Sequence, residues 1–187
     1  MKKLVLSLFV AFGFTTQAQQ LAMFTEYMYN EVTLNPAYAG SHEVVSATLL
    51  GRTQWVGAIG GPQTYSFNVH SPLRNENLGV GLSLVYDELA IESNVNAMAS
   101  FSYKVKFEKS DLHFGLQAGV AQSERDYSKL NIEDDNDPSA ISGKSALSPN
   151  FGIGMYYFAS QFYVGLSVPQ LVNNQMTIKG SEQAKQV

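Results

Sequence analysis

The sequence predicts an all-β protein, an antiparallel transmembrane β-barrel of the outer membrane. Three observations support this fold class. A short apolar leader opens the chain, later stretches alternate between apolar and small or polar residues, and the connections between these stretches differ in length in a regular way. Alternation suits a wall with lipid on one side and water on the other. A leader sends the chain out of the cytoplasm.

The leader covers residues 1–18 and reads as a signal peptide. Lys2 and Lys3 supply its positive start, and an apolar run follows over residues 4–14. That run is too short for a spanning helix. Thr16-Gln17-Ala18 has the small-x-small pattern of a cleavage site, so we expect the mature chain to begin after Ala18.

Composition limits the function classes. The chain has no Cys, which excludes disulfides and thiol chemistry. Removal of Lys2 and Lys3 leaves 10 basic against 16 acidic residues, a net charge of −6, so nothing indicates nucleic acid as a partner. A mean hydropathy of −0.08 argues against a helical membrane bundle but is compatible with a barrel, in which only alternate residues are apolar.

Residues 19–42 lack a strand period, and we expect them to be a periplasmic segment ahead of a barrel portion at 43–187. Seven candidate strands follow, at 44–51, 63–71, 78–86, 94–107, 112–121, 150–158 and 161–168. Residues predicted to face lipid include Phe101, Tyr103, Leu116 and Phe162, and those predicted to face inward include Ser102, Gln117 and Gly165. A soluble β-sandwich is the alternative, but its strands are usually shorter and its second face less rich in Gly, Ser and Asn.

The connections predict an orientation. With the mature N-terminus in the periplasm, the second, fourth and sixth connections should be short turns. They are short, at 72–77, 108–111 and 159–160, whereas 52–62 and the acidic stretch 122–149 are long. The outward connection 87–93 is the exception. Seven is an odd count, and residues 180–187 lack a closing aromatic strand, so we expect an incomplete barrel, the N-terminal portion of a larger one.

Several motifs along the chain resemble the PorP/SprF family of Bacteroidetes outer-membrane proteins, the first two of them the opening of its members. They include Tyr27-Met28-Tyr29-Asn30, Leu34-Asn35-Pro36-Ala37-Tyr38-Ala39-Gly40, Arg52-Thr53-Gln54-Trp55-Val56-Gly57, Pro149-Asn150-Phe151-Gly152-Ile153-Gly154 and Phe162-Tyr163-Val164-Gly165-Leu166-Ser167-Val168-Pro169. The resemblance implies a role in type IX secretion and gliding motility. Its implied partners are other type IX components and secreted cargo proteins with C-terminal sorting domains. It implies no catalytic residues.

No catalytic, cofactor or metal constellation is evident in the sequence. His70 and His113 fall on polar strand faces and His42 precedes the strands, so a lumen position is the simplest interpretation. The acidic stretch 133–137 resembles a calcium loop but lacks its Gly and terminal Glu, which favours a solvated loop. Trp55, with Arg52 nearby, is either an interfacial girdle residue or a partner contact.

The leading hypothesis is therefore a non-enzymatic outer-membrane component that assists export or surface retention of cargo, with no cofactor. A small autonomous outer-membrane channel is the alternative. A barrel-embedded hydrolase with a lumenal Ser-His pair is a third, less favoured class.

Overall fold

Seven antiparallel strands form one sheet, in chain order, in a computed structural model that describes residues 29–126 and 144–172. The strands are β1 Ser46–Thr53, β2 Gln63–Pro72, β3 Leu78–Leu89, β4 Glu92–Lys106, β5 Ser110–Arg125, β6 Lys144–Ala159 and β7 Tyr163–Val168. The sheet curves into a half-barrel with β1 and β7 at its edges. This confirms the predicted class of an all-β antiparallel barrel and the seven strands.

The strands extend further than predicted at the end with the long connections. β3 continues to Leu89 and β4 begins at Glu92, so the predicted loop 87–93 is wrong; residues 90–91 alone separate the two strands. The predicted loop 122–149 is also wrong at both ends, since β5 runs to Arg125 and β6 begins at Lys144. Polar residues occur on both faces over much of these extensions, so side-chain alternation fades although the backbone ladder continues. Residues 127–143, with the acidic stretch 133–137, lie outside the described residues.

The two faces of the sheet differ as the alternation predicts. On the convex face Phe101, Tyr103, Leu116 and Phe162 are 45%, 48%, 60% and 57% exposed. On the concave face Ser102 and Gln117 are buried, and Gly165 lies beside Asn35. The predicted division of these residues between an outward and an inward face is confirmed, and contact of the outward face with lipid stays a prediction.

Two short helical turns precede the sheet, α1 at Glu31–Leu34 and a 3₁₀ turn at Pro36–Tyr38. Within residues 29–126 and 144–172, no helix has the length and apolar character needed to cross a bilayer. The core lies between these turns and the concave face of the sheet, because residues 30, 32, 35–37, 39 and 40 are all buried. The periplasmic assignment of residues 19–42 stays a prediction.

Candidate functional site

The concave face of the half-barrel is filled by residues 29–42, here called the inner segment. Its local sequence explains its compact shape. Asn35 ends α1 in an extended conformation, and its Oδ1 accepts a hydrogen bond from the Ala37 backbone N–H at 3.0 Å. Pro36 then occupies the first helical position of the 3₁₀ turn, where its fixed φ fits and its missing N–H costs nothing. The result is two tight turns in eight residues.

The second half of the inner segment, residues 35–40, crosses the strands over a row of small residues. The residues of this row, Gly79, Ser102, Gly115, Gly154 and Ser167, are direct cross-strand neighbours from β3 to β7. We call this set the small-residue row. It makes a shallow transverse channel in the wall, because none of its side chains rises more than one atom beyond Cβ.

The absence of side chains in this row is required by the close approach of the inner segment. A Cβ atom on Gly115 would overlap the backbone of Pro36 and Ala37, and one on Gly79 would overlap the Ala39 carbonyl. At Gly154 it would overlap the Asn35 carboxamide. Glycine therefore permits the backbone contact here, as it does elsewhere where two chains come close.

Gly40 ends the crossing in a left-handed conformation. Its φ is +69°, a region that residues with a Cβ rarely adopt, and a Cβ at this position would overlap the backbone of β2 and β3. Its backbone N–H donates to Nδ1 of His70 at 3.2 Å. This geometry returns the chain from the concave face toward β1.

Polar side chains of β2 and β3 hold the beginning of the inner segment. Ser66 Oγ and Asn68 Nδ2 both donate to Oδ1 of Asn30, at 3.0 and 2.6 Å. The Thr33 hydroxyl lies 2.8 Å from both Asn68 Oδ1 and Ser83 Oγ. Ser66, Asn68 and Ser83 are inward residues of the strands, and their polar side chains bind the inner segment.

Strands β4, β6 and β7 hold the other half of the segment. Asn35 Nδ2 donates to the Met155 carbonyl at 3.0 Å, and Ser167 Oγ donates to the Leu34 carbonyl at 2.6 Å. Ser102 Oγ donates to the Ala39 carbonyl. The segment therefore touches both sides of the curved wall and spans the trough between them.

An aromatic cluster surrounds Tyr38, and it gathers the histidines of the chain. The Tyr38 ring makes edge contacts with His42, His70 and Tyr156 at centroid distances of 5.7, 5.7 and 5.4 Å. Tyr156 in turn contacts His113 at 6.2 Å. The inward placement predicted for His70 and His113 is confirmed, since both are buried.

The imidazoles contact the inner segment. His70 Nδ1 accepts from the Gly40 N–H, and His42 Nε2 lies 3.2 Å from the Tyr38 hydroxyl. Each of these two bonds therefore joins an imidazole to a group of the inner segment, the Tyr38 hydroxyl or the Gly40 N–H. No three His, Asp or Glu side chains of that part converge as metal ligands.

The Tyr38 hydroxyl is the clearest electrostatic feature of the inner segment. Burial, and then the neighbouring Glu31 carboxylate, raise the pKa of Tyr38 well above its usual value. The cause is that an ionised phenol would be both desolvated and close to a negative charge. The neutral hydroxyl is thus the form that the folded chain holds.

Arg52 and Trp55, the predicted partner contacts, lie on different parts of the structure. Arg52 is on the inward face of β1, opposite Thr64, whereas Trp55 is 71% exposed in the connection after β1. We call residues 54–62 the Trp55 loop. A partner role for either residue stays a prediction.

The Trp55 loop is apolar, and backbone hydrogen bonds close it and join it to the connection between β3 and β4. Val56 and Ile59 are 88% and 106% exposed, and the loop contains no charged residue. Gln54 N–H donates to the Pro62 carbonyl at 2.9 Å, and Ala90 N–H donates to the Gly60 carbonyl at 3.1 Å. Trp55 itself has a φ of +52°, unusual for a bulky residue and a sign of local constraint.

The inner segment is the element that sequence reasoning missed. Its Asn-Pro pair and Gly40 indicated turns, but nothing in a strand period reveals that those turns lie on the concave face. One available signal was the run of small residues at matching depth in β3 to β6. Such a run is a sign of close backbone approach.

Comparison with known proteins fits this architecture. No curated protein and no solved structure matches the chain significantly. A family model described as type IX secretion system membrane protein PorP/SprF matches residues 16–187, which is most of the chain. This match, together with the antiparallel half-barrel and its apolar convex face, shows that the chain belongs to the PorP/SprF family of type IX secretion system membrane proteins.

Proposed function

We propose that this chain is a non-enzymatic outer-membrane component of type IX secretion that assists the export or surface retention of cargo proteins. Family membership is the observation that carries the proposal. In this proposal residues 1–18 act as a signal peptide and are removed after Ala18, and the barrel portion lies in the outer membrane with residues 19–42 on the periplasmic side.

The convex face supports a membrane position. Outward side chains such as Leu116, Ile153 and Leu166 are apolar and 60%, 44% and 63% exposed. A large apolar surface of this kind is unusual for a protein in water and suits contact with lipid. Outer-membrane lipid is therefore a proposed partner.

The Trp55 loop is the surface that we propose for protein contact. It lies at the end of the half-barrel where the long connections occur, and its exposed Trp55, Val56 and Ile59 are uncharged and apolar. Exposed Trp residues held on a constrained backbone lose little entropy on binding and are frequent interface anchors. We include Arg52 in this proposal as a flanking residue of β1.

The channel alternative is less well supported. Residues 30–40, most of which are buried, occupy the concave face along which a solute would pass. At this depth of the barrel, the polar inward side chains of the strands therefore contact the inner segment.

The proposal is tested by deleting the gene in its native host and measuring secreted proteins by mass spectrometry. We expect proteins with C-terminal sorting domains to be lost from the surface and medium, and to return with the wild-type gene. Unchanged amounts of all such proteins in the deletion strain would disprove the proposal.

The contact surface is tested in the same strain with Trp55→Ala and Trp55→Phe. A partner contact predicts lower secretion for Trp55→Ala at an unchanged amount of barrel in the membrane, with partial recovery for Trp55→Phe. If Trp55 is instead an interfacial girdle residue, Trp55→Ala should lower the amount of barrel in the membrane, and secretion per barrel molecule should stay unchanged.

A further inference from the structure

The inner segment is attached to the wall in a different way from the strands. Each strand is joined to its neighbours by a ladder of backbone bonds. Among the described residues, the backbone hydrogen bonds of the inner segment close its own turns, such as Asn35 N–H to the Glu31 carbonyl at 2.8 Å. Its bonds to the wall use at least one side chain each, as Asn35 with Met155 and Gly40 with His70 do. The segment can therefore leave without separating any two strands.

Hydrogen bonds between polar groups make up much of the contact between the segment and the wall. The bonds made by Ser66, Asn68, Ser83, Ser102 and Ser167 join hydroxyl or amide groups that water can also satisfy. Exchange of such bonds for bonds to water changes the free energy only modestly. The buried apolar side chains of the segment are few and mostly small, namely Val32, Pro36, Ala37 and Ala39.

The fit between segment and wall also leaves polar groups without partners. Buried side-chain atoms without a hydrogen bond to another described protein atom include Asn30 Nδ2 on the segment, and Ser100 Oγ, His113 Nδ1 and Asn150 Oδ1 on the wall. A cavity of about 60 Å³ lies between Thr33, Leu34, Gln117 and Asn150. Thr33, Gln117 and Asn150 place polar groups in its lining, and it is large enough to admit water. Each such group would gain a water partner if the segment left.

We propose that the inner segment is a displaceable plug, which leaves the concave face as a unit while the strand wall stays paired. Its departure exposes the small-residue row and the inward polar side chains to water, and so opens a polar path along the wall. The closed position is held by side-chain bonds and by the close backbone contact at Gly79, Gly115 and Gly154. This inference concerns the barrel itself and does not depend on the role in secretion.

A disulfide between the segment and the wall tests the proposal. The chain has no Cys, so introduced pairs act alone. Thr33 Oγ1 and Ser83 Oγ are 2.8 Å apart, and the variant Thr33→Cys/Ser83→Cys places two sulfur atoms at these positions with little change in size. The control pair is Thr33→Cys/Leu84→Cys, because Leu84 lies on the opposite face of β3. We expect a disulfide in the first pair and none in the second.

Amide hydrogen exchange of the full chain in lipid vesicles then measures opening. In the reduced Thr33→Cys/Ser83→Cys protein, we expect amides of residues 33–41 to exchange at least about tenfold faster than those at the centres of β4 and β5. Oxidation should slow the segment amides by at least about tenfold and leave the strands unchanged. If the segment amides are as protected as β4 and β5 in the reduced protein, the segment leaves only when the barrel unfolds and the proposal is overturned.

A second engineered disulfide, at the other end of the segment, distinguishes movement of the whole segment from a local effect of the first disulfide. A Cβ on Gly81 would lie 3.2 Å from Cβ of Ala39, so a shift of a few tenths of an ångström would bring the two Cβ atoms to the spacing of a disulfide. The variant Ala39→Cys/Gly81→Cys should protect residues 33–41 in the same way when oxidised. If either disulfide slows exchange only near itself and the other end of the segment still exchanges fast, the segment does not move as a unit. If neither Cys pair forms a disulfide in the folded protein, the segment does not lie on the concave face as described, and the proposal is contradicted.

Discussion

The Asn35 side chain joins the inner segment to β6, because its Nδ2 donates to the Met155 backbone carbonyl at 3.0 Å. The same carboxamide accepts from the Ala37 N–H through Oδ1, at 3.0 Å. One buried side chain therefore both shapes the turn and attaches it to the wall. It does so directly above Gly154, where any larger residue would displace it.

The first prediction concerns this side chain. Asn35→Ala removes two hydrogen bonds and leaves the buried Ala37 N–H unpaired, so we expect a loss of about 1–3 kcal/mol in the free energy of unfolding. Asn75→Ala is the matched control, since Asn75 Oδ1 accepts from Asn77 N–H in an exposed turn, where water can replace it. Urea unfolding in lipid vesicles measures both. Equal effects of the two changes would show that the Asn35 contacts do not stabilise the fold.

The second prediction concerns the small-residue row. Gly115→Ala places a Cβ against the Pro36–Ala37 backbone and should cost about 1–3 kcal/mol by overpacking or displace the segment. Gly51→Ala is the control: its Cβ faces the Tyr65 ring, a side chain that can move, and the change should be nearly neutral. Proteolysis of residues 29–42 should become faster for Gly115→Ala and stay unchanged for Gly51→Ala. An unperturbed Gly115→Ala protein would contradict the close contact.

The sheet was predictable from the sequence because a wall between two solvents imposes strict alternation. In β4 the order Ser100, Phe101, Ser102, Tyr103 assigns each side chain to a face, and the structure agrees. The strand ends were not predictable in the same way. Near Gln122 and Ser145 both faces are polar, so the ladder continues without a periodic signal.

The inner segment could not be placed from the sequence because its contacts are long-range and follow no period. Asn30 meets Asn68, and Ser167 meets the Leu34 carbonyl, 133 residues away along the chain. The alternation predicts that polar strand residues such as Ser102 and Gln117 point inward, and they do. That they contact another part of the same chain depends on how the sheet curves, which local patterns do not encode.

The third prediction is a loss of stability at alkaline pH that depends on Tyr38. Burial and the Glu31 carboxylate raise the pKa of Tyr38, so the folded chain holds the hydroxyl neutral. The stabilising contribution is complete below pH 10, the usual tyrosine value, and is lost as the pH rises toward the raised value in the folded chain. We expect hydrogen exchange of residues 33–41 to accelerate above pH 10 beyond the intrinsic effect of pH.

The control for this prediction is Tyr38→Phe, which keeps the ring contacts with His70 and Tyr156 and removes the ionisable group. The variant should lack the additional acceleration, although its segment should still occupy the concave face. The same acceleration in both proteins would assign the alkaline effect to another group.

The fourth prediction tests the two faces of the sheet. Leu116 is 60% exposed on the convex face near the middle of β5, and Leu116→Arg would place a charge in lipid. We expect this change to cost about 2–4 kcal/mol in the free energy of unfolding from vesicles. Gln117 is a poor inward control although it was predicted to face inward, because it is buried and its Nε2 donates to the Pro169 carbonyl at 2.9 Å.

Asn94→Arg is the better inward control for this comparison. Asn94 is half-buried on the concave face and lies opposite Asp87 of β3, which would offset the added charge. We expect a cost below about 1 kcal/mol there, since an exposed or rim ion pair changes stability little. A large cost at Leu116 with a small cost at Asn94 would place lipid on the convex side and water on the concave side. Similar costs at both positions would contradict a membrane-spanning wall, and a larger cost at Asn94 would mean that the two faces are assigned the wrong way round.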